Sequence, residues 1–119
     1  MTIRQKVLLA EPDKELSASL SAMLFKHGYE VLPVVSGEEA MRMATSHCPE
    51  IILLELELPD MNGIQVLDSV REWSLQPIIM LSEQTEEQIV AETLEHCADD
   101  YVVKPVRELE LLARMQAAI

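Results

Sequence analysis

Ile51-Ile52-Leu53-Leu54-Glu55-Leu56-Glu57-Leu58-Pro59-Asp60-Met61-Asn62-Gly63 is the stretch on which the fold turns. It opens with an unbroken apolar run, the pattern of a strand buried on both faces rather than on one. A carboxylate, Glu55, stands where that run ends. A Pro-Asp-Met-Asn-Gly turn follows, then Ile64, Leu67 and Val70 at helical spacing. In an open parallel sheet, ligands bind in the crevice outside the carboxyl ends of the strands. Glu55 is therefore a candidate site residue, and its surroundings decide what the site can do.

The alternation of strand and helix continues on both sides of this stretch. Before it, Val7-Leu8-Leu9-Ala10 reads as a first buried strand, ended by Glu11-Pro12-Asp13 because proline cannot continue a central ladder. Asp13 is placed to cap a helix with Leu16, Leu20, Met23 and Leu24 inward through about His27, and Gly28 stops it. Tyr29 to Val35 reads as a second strand, an edge because Pro33 interrupts it. Ser36 and Glu39 form a capping box for a helix with Ala40, Met41 and Ala44 inward, running to about Ser46.

After it, the helix begun by Ile64 is expected to end near Trp73. Pro77-Ile78-Ile79-Met80-Leu81-Ser82 reads as a fourth buried strand. Thr85-Glu86-Glu87-Gln88 reads as another capping box, for a helix carrying Ile89, Val90 and Leu94 that stops around Cys97. Tyr101-Val102-Val103 is a fifth short strand closed by Lys104-Pro105. Leu109, Leu112 and Met115 mark the last helix. Five strands alternating with five helices predict an α/β fold: a doubly wound parallel sheet with helices on both faces.

Composition narrows the function classes. A chain of 119 residues supports one domain, taken as residues 1–119, and 49% hydrophobic residues supply its core. No apolar run approaches the length of a membrane span, and Met1-Thr2-Ile3-Arg4-Gln5-Lys6 lacks the apolar core of a secretory signal, so a cytoplasmic location is expected. Cys48 and Cys97 are too few for a disulfide framework and show no zinc spacing, and both are expected to be reduced. A net charge of −12 argues against nucleic-acid binding by this domain. Trp73 to Val103 contains no Lys or Arg, so that surface suits a basic partner, such as a basic output domain.

Polar groups stand at the ends of the strands: Glu11 after the first, Glu55 at the third, Ser82 at the fourth and Lys104 after the fifth. In a doubly wound sheet these ends share one edge. Two acids, a hydroxyl and a lysine are the groups needed to hold a divalent metal and a phosphoryl group.

On these motifs, together with Leu58-Pro59-Asp60-Met61-Asn62-Gly63 and Ala98-Asp99-Asp100-Tyr101-Val102-Val103-Lys104-Pro105, the whole chain resembles a response-regulator receiver domain, the phosphoacceptor module of two-component signalling. Arg71-Glu72-Trp73-Ser74 and Glu110-Leu111-Leu112-Ala113-Arg114 resemble the OmpR/KdpE-type subgroup. The resemblance implies strand order 2-1-3-4-5. It implies an Asp at the end of the third strand that takes phosphate from a histidine kinase, and two acids after the first strand that help bind magnesium. It also implies a Ser or Thr and a Lys that contact the phosphoryl group, and an aromatic residue that changes rotamer on activation. Ser82, Lys104, Tyr101 and Glu11 match. Members of the subgroup usually carry a winged-helix DNA-binding domain after the receiver, so the chain is expected to be part of a longer transcriptional regulator.

Three positions depart from the pattern. Glu55 replaces the acceptor Asp, and its carboxylate sits one methylene further out, which displaces the attack geometry. Pro12 replaces the second metal-binding acid, leaving only Glu11 and Glu55 as weak candidates for magnesium, which demands near-ideal octahedral geometry. Glu83 replaces the small residue that follows Ser82 and repels an incoming phosphoryl donor. These departures favour a non-enzymatic receiver that works without phosphorylation and without a cofactor. In it, Glu55 is expected either to reach Ser82 and Lys104 directly and hold the domain in one state, or only to fill a disused pocket while the domain serves as a dimerisation scaffold. A working magnesium-dependent phosphoacceptor and a small-molecule or ion sensor are the alternatives.

The resemblance also implies a homodimer through the fourth helix, fifth strand and fifth helix. Asp99 or Asp100 would pair with Arg114 across the interface, and Val90 would replace the usual lysine with an apolar contact.

Overall fold

The apolar runs become the central strands of one sheet. A computed structural model describes residues 3–119; Met1 and Thr2, which open the expected domain, lie outside the described residues. The strands are β1 (Gln5–Ala10), β2 (Tyr29–Val34), β3 (Ile51–Glu55), β4 (Ile78–Ser82) and β5 (Asp100–Val103). The helices are α1 (Lys14–Lys26), α2 (Gly37–His47), α3 (Gly63–Arg71), α4 (Glu87–Glu95) and α5 (Glu108–Ala118). All strand pairs are parallel, in the order β2-β1-β3-β4-β5. This is the doubly wound order expected. β2, with Pro33, is an edge strand.

Period-two alternation divides the strands between two cores. Leu8, Ala10, Ile52, Leu54, Ile78, Met80 and Tyr101 pack in one cluster with residues of α2 and α3, and α4 adds Ile89 and Val90. Val7, Leu9, Ile51, Leu53, Ile79, Leu81 and Val102 pack in the other with α1 and α5. Every residue of β3 and β4 is buried, so the continuous apolar runs mark strands covered on both faces.

Local signals set most helix starts. Asp13 accepts from the Glu15 and Leu16 amides, and Ser36 from the Glu39 amide. Asn62 and Gln65 form a full capping box at α3, where sequence suggested only a turn. Its signature, Asn-x-x-Gln, is present in the chain.

The expected capping box at Thr85 does not form. α4 begins at Glu87, with Glu86 at the cap position and no side-chain cap bond. The Gln84 amide donates to Ser82 Oγ instead, and this holds the preceding residues out of the helix. Leu94 and Leu109, which marked the fourth and fifth helices in the sequence, are 42% and 78% exposed. Thr93 is the buried residue of α4, and Leu111 and Met115, four apart, are the buried ones of α5. α3 ends at Arg71, two residues short of Trp73. Cys48 and Cys97 are free and exposed just past α2 and α4, with φ of 43° and 72°.

The turn after β3 is held tightly against the strand. The Gly63 amide donates to the Leu56 carbonyl, and the Leu58 amide to the Met61 carbonyl. The Asp60 carboxylate accepts from the Gly37 and Glu38 amides at the start of α2. These backbone bonds hold its carboxyl below the usual carboxylate range. A Cβ at Gly63 would come within 2.5 Å of the Glu55 carbonyl oxygen and 2.9 Å of Leu56 Cα, both backbone atoms. Gly63→Ala should therefore destabilise the domain by about 1–3 kcal/mol in urea unfolding. Gly37→Ala should cost less, because a Cβ there meets only side chains, nearest that of Met61, which can turn away.

Candidate functional site

The parallel register brings the polar strand ends together. Ala10 lies opposite Leu54, Glu55 opposite Leu81, and Ser82 opposite Val103. The residues that follow β1 and β5 therefore flank Glu55 and Ser82 on one edge. The Lys104 amide donates to the Ser82 carbonyl at 2.8 Å, which fixes where the lysine side chain starts.

From there, Lys104 Nζ reaches 2.6 Å from Glu11 Oε1 and 2.6 Å from Glu55 Oε2. Among the described residues neither oxygen has a hydrogen-bond partner besides this ammonium. The second oxygen of each acid is tied locally: Glu11 Oε2 accepts from the Asp13 amide at 3.1 Å, and Glu55 Oε1 from the Glu57 amide at 3.2 Å. Glu11 is 1% exposed and Glu55 5%. Two carboxylates shielded from water thus share one cation.

The titration of Glu55 and Lys104 reflects their burial and their contact. Burial raises the Glu55 carboxyl above its ordinary value, and the bonds from Lys104 and the Glu57 amide offset only part of the rise. Burial alone would lower the Lys104 ammonium. The bonds and charges of Glu11 and Glu55 outweigh it, so Lys104 lies above an ordinary lysine.

Ser82 is fully buried, and its hydroxyl accepts from the Gln84 amide at 3.0 Å. Among the described residues it forms no hydrogen bond with Glu55, so the expected Glu55–Ser82 contact is absent. Glu55 reaches Lys104 but spends its other oxygen on its own turn. Tyr101 is 8% exposed, turned inward, and its hydroxyl donates to the Gln84 carbonyl at 2.9 Å. Gln84 Nε2 donates to Glu57 Oε1 at 2.7 Å. The sequence motifs did not single out Gln84 or Glu57, because an exposed Gln–Glu pair distant in the chain leaves no local spacing to read.

A crevice of about 250 Å³ opens over the pair, lined by Glu11, Pro12, Asp13, Glu55, Glu57, Glu83, Gln84 and Lys104. Glu83 is exposed at its rim. The magnesium that the resemblance implies does not suit these residues. Lys104 Nζ already bridges the two acids, Pro12 adds no oxygen side chain, and no group of three or more His, Cys, Asp or Glu among the described residues is arranged to hold a metal.

On the far face, the acids expected at a dimer contact are engaged within the chain. Asp99 accepts from Arg71 Nη2 at 2.9 Å and from the Ile78 amide at 2.8 Å. Arg114 Nη1 bonds Asp100 Oδ2 at 2.9 Å. Val90 is half-buried against the core. Arg71 also donates to the carbonyls of Gln76 and Cys97, which ties the end of α3 to the loops around β4 and β5.

Residues 7–116 match the family described as the response regulator receiver domain. The transcriptional regulatory protein KdpE of Mycobacterium tuberculosis is 39% identical over 113 residues, covering 95% of this chain and 50% of that protein. The DNA-binding response regulator MtrA of Mycolicibacterium smegmatis is 37% identical over 118 residues, covering 99% of this chain and 52% of that protein. The chain spans about half the length of the curated relatives it matches. Among solved structures, the BeF3-activated N-terminal receiver domain of Klebsiella pneumoniae RstA superposes with a TM-score of 0.92 at 27% identity, covering 96% of this chain and 97% of that one.

The shared ammonium predicts a pH-dependent defect. Replacing it by Lys104→Met leaves two buried carboxylates without a cation, and should cost about 3–5 kcal/mol at neutral pH. A carboxyl whose folded pKa is raised adds stability at low pH and loses it as pH rises through the folded value. The deficit should therefore shrink in mildly acidic solution, as Glu55 takes up a proton. Urea unfolding of both proteins across that range checks this. A deficit independent of pH would mean that Lys104 acts by packing alone.

Proposed function

The chain belongs to the response regulator receiver domain family, and on that premise we propose that its pocket works without a phosphoryl group. The observation that carries the proposal is Lys104 Nζ at 2.6 Å from both Glu11 and Glu55. The cation that would meet an incoming phosphoryl group is already neutralised from two sides. Glu55 stands in for a charged acceptor as a fixed anion, and its charge-assisted contact takes the place of the phosphoryl contacts. Pro12 and Glu83 support the same reading, one by supplying no metal ligand and the other by adding negative charge at the mouth.

In this reading the domain is a signalling module rather than an enzyme. It holds one state, with Tyr101 inside, and presents that state to an output domain. The names of the relatives, a transcriptional regulator and a DNA-binding response regulator, together with the length they have beyond this chain, support a DNA-binding output domain and a cytoplasmic setting. The acidic face between Trp73 and Val103 suits contact with such a basic domain, and no helix among the described residues is long and apolar enough to cross a membrane. A homodimer through α4, β5 and α5 fits the partly exposed Leu94 and Val103 there. Arg114 would have to exchange its Asp100 partner to pair across it, and such rim pairs contribute little individually.

The test is incubation with acetyl phosphate or beryllofluoride, with magnesium. No magnesium-dependent mass increase and no change around Glu55 and Tyr101 are expected. The triple change Pro12→Asp, Glu55→Asp, Glu83→Ala should gain acceptance. Phosphorylation of the unaltered chain would contradict the proposal.

A further inference from the structure

Helix α4 is lightly held by the core, and its C-terminal end is gripped from α3. Of its nine residues only Thr93 is buried, and no side chain caps its start. Two side chains near the end of α3, one turn apart, reach the far end of α4. Arg71 donates to the Cys97 carbonyl through Nε at 2.9 Å and to Asp99 through Nη2 at 2.9 Å. Asp68 Oδ1 lies 2.8 Å from Nδ1 of His96, the residue that closes α4. We propose that Asp68 and His96 form a pH-operated clasp, which holds the end of α4 against α3 while the imidazole is charged and slackens when that charge is lost.

The two grips differ in kind. A guanidinium keeps its charge at any pH a folded protein meets, so Arg71 is a permanent tie. An imidazole changes charge near neutrality. The charged ring donates an ionic hydrogen bond to Asp68, roughly twice as strong as a bond between neutral groups. A second effect acts in the same direction. The last turn of a helix favours positive charge, and α4 has no basic residue there but does have Glu92 and Glu95. His96 offsets them only when protonated.

The charged groups at this end of the domain are Asp68, Arg71 and Glu72 from α3, Glu92 and Glu95 from α4, and Asp99 from the loop that follows. Arg71 is paired with Asp99, and Asp100, which opens β5, with Arg114. Both arginines are therefore engaged, and the ring is left to the acids. The bond to Asp68 raises His96 above its ordinary value; desolvation opposes this, and the charges of Asp68, Glu92 and Glu95 add to it. A histidine whose folded value is raised contributes stability that is complete in acid and is lost as pH rises through that value. The clasp therefore loosens on the alkaline side of the His96 midpoint.

The His96 and Asp68 side chains are 38% and 53% exposed, so the effect is that of an exposed ion pair, felt as local opening of the helix end. The turn it frees presents Glu92, Leu94 and Glu95 to solvent. The clasp sits just before β5, at the opposite end of that strand from Lys104, and does not depend on whether the pocket accepts phosphate.

The chain has histidines at 27, 47 and 96, so the ring spectrum is short, and His96→Gln assigns it. The readout is the protection of the Cys97 amide, which donates to the Leu94 carbonyl at 3.0 Å, measured by solvent-exchange nuclear magnetic resonance and corrected for the intrinsic exchange rate at each pH. In the unaltered chain that protection should fall about two- to fivefold as pH rises through the His96 midpoint, the range for an exposed ion pair. Asp68→Asn should remove most of this step and lower the His96 midpoint. His96→Lys, charged on both sides of the transition, should remove the step and keep the higher protection. Protection that stays constant in the unaltered chain, a step of equal size in Asp68→Asn, or a step that persists in His96→Lys would each overturn the proposal.

Discussion

One ammonium between two carboxylates that the sheet has removed from water is the constraint on which the site depends. Lys104 Nζ meets Glu11 and Glu55 at equal distance, and among the described residues no other cation pairs with either acid. Burial makes this pair costly to break, because removing the partner of a buried charge is worse than replacing the whole pair with apolar groups. The arrangement survives because each acid also accepts a backbone N–H from its own strand-end turn. Burial still holds the Glu55 carboxyl above its ordinary value despite these contacts.

Everything else in the domain serves to place those three side chains. The apolar alternation of β1, β3, β4 and β5 fixes the register, and the register sets which strand-end residues are neighbours. The tight return of the chain at Gly63, with its amide on Leu56, keeps the turn after β3 against the strand. Asp60 ties that turn to α2, and Arg71 ties the end of α3 to the loops around β4 and β5. The geometry of the pocket is thus a property of the sheet and its turns.

Much of this was legible in the chain. The fully buried strands could be read because Ile51 to Leu54 and Ile78 to Leu81 are unbroken apolar runs, and the helix starts at Asp13 and Ser36 because their caps are local. The resemblance supplied the neighbours of Glu55. At Thr85 the capping pattern is overruled by the ties of the preceding residue: the Gln84 amide bonds Ser82 two residues back, and its side chain reaches Glu57 across the crevice. Long-range side-chain pairs such as Asp60 with the start of α2, or Arg71 with Asp99, leave no spacing to read. The length of the Glu55 side chain suggested reach to both Lys104 and Ser82, but only the folded turn shows that one oxygen is already committed to the Glu57 amide.

We propose that Lys104 is the resident counter-ion of Glu11 and Glu55 and occupies the place a divalent metal would need. Nuclear magnetic resonance of the Glu55 carboxyl carbon and the Lys104 ammonium, followed through a pH titration with and without magnesium, tests it most directly. A Glu55 midpoint above that of an ordinary glutamate, a Lys104 ammonium protected from exchange, and no change in either on adding magnesium are expected. A magnesium-dependent fall in the Glu55 midpoint with release of Lys104 would contradict it.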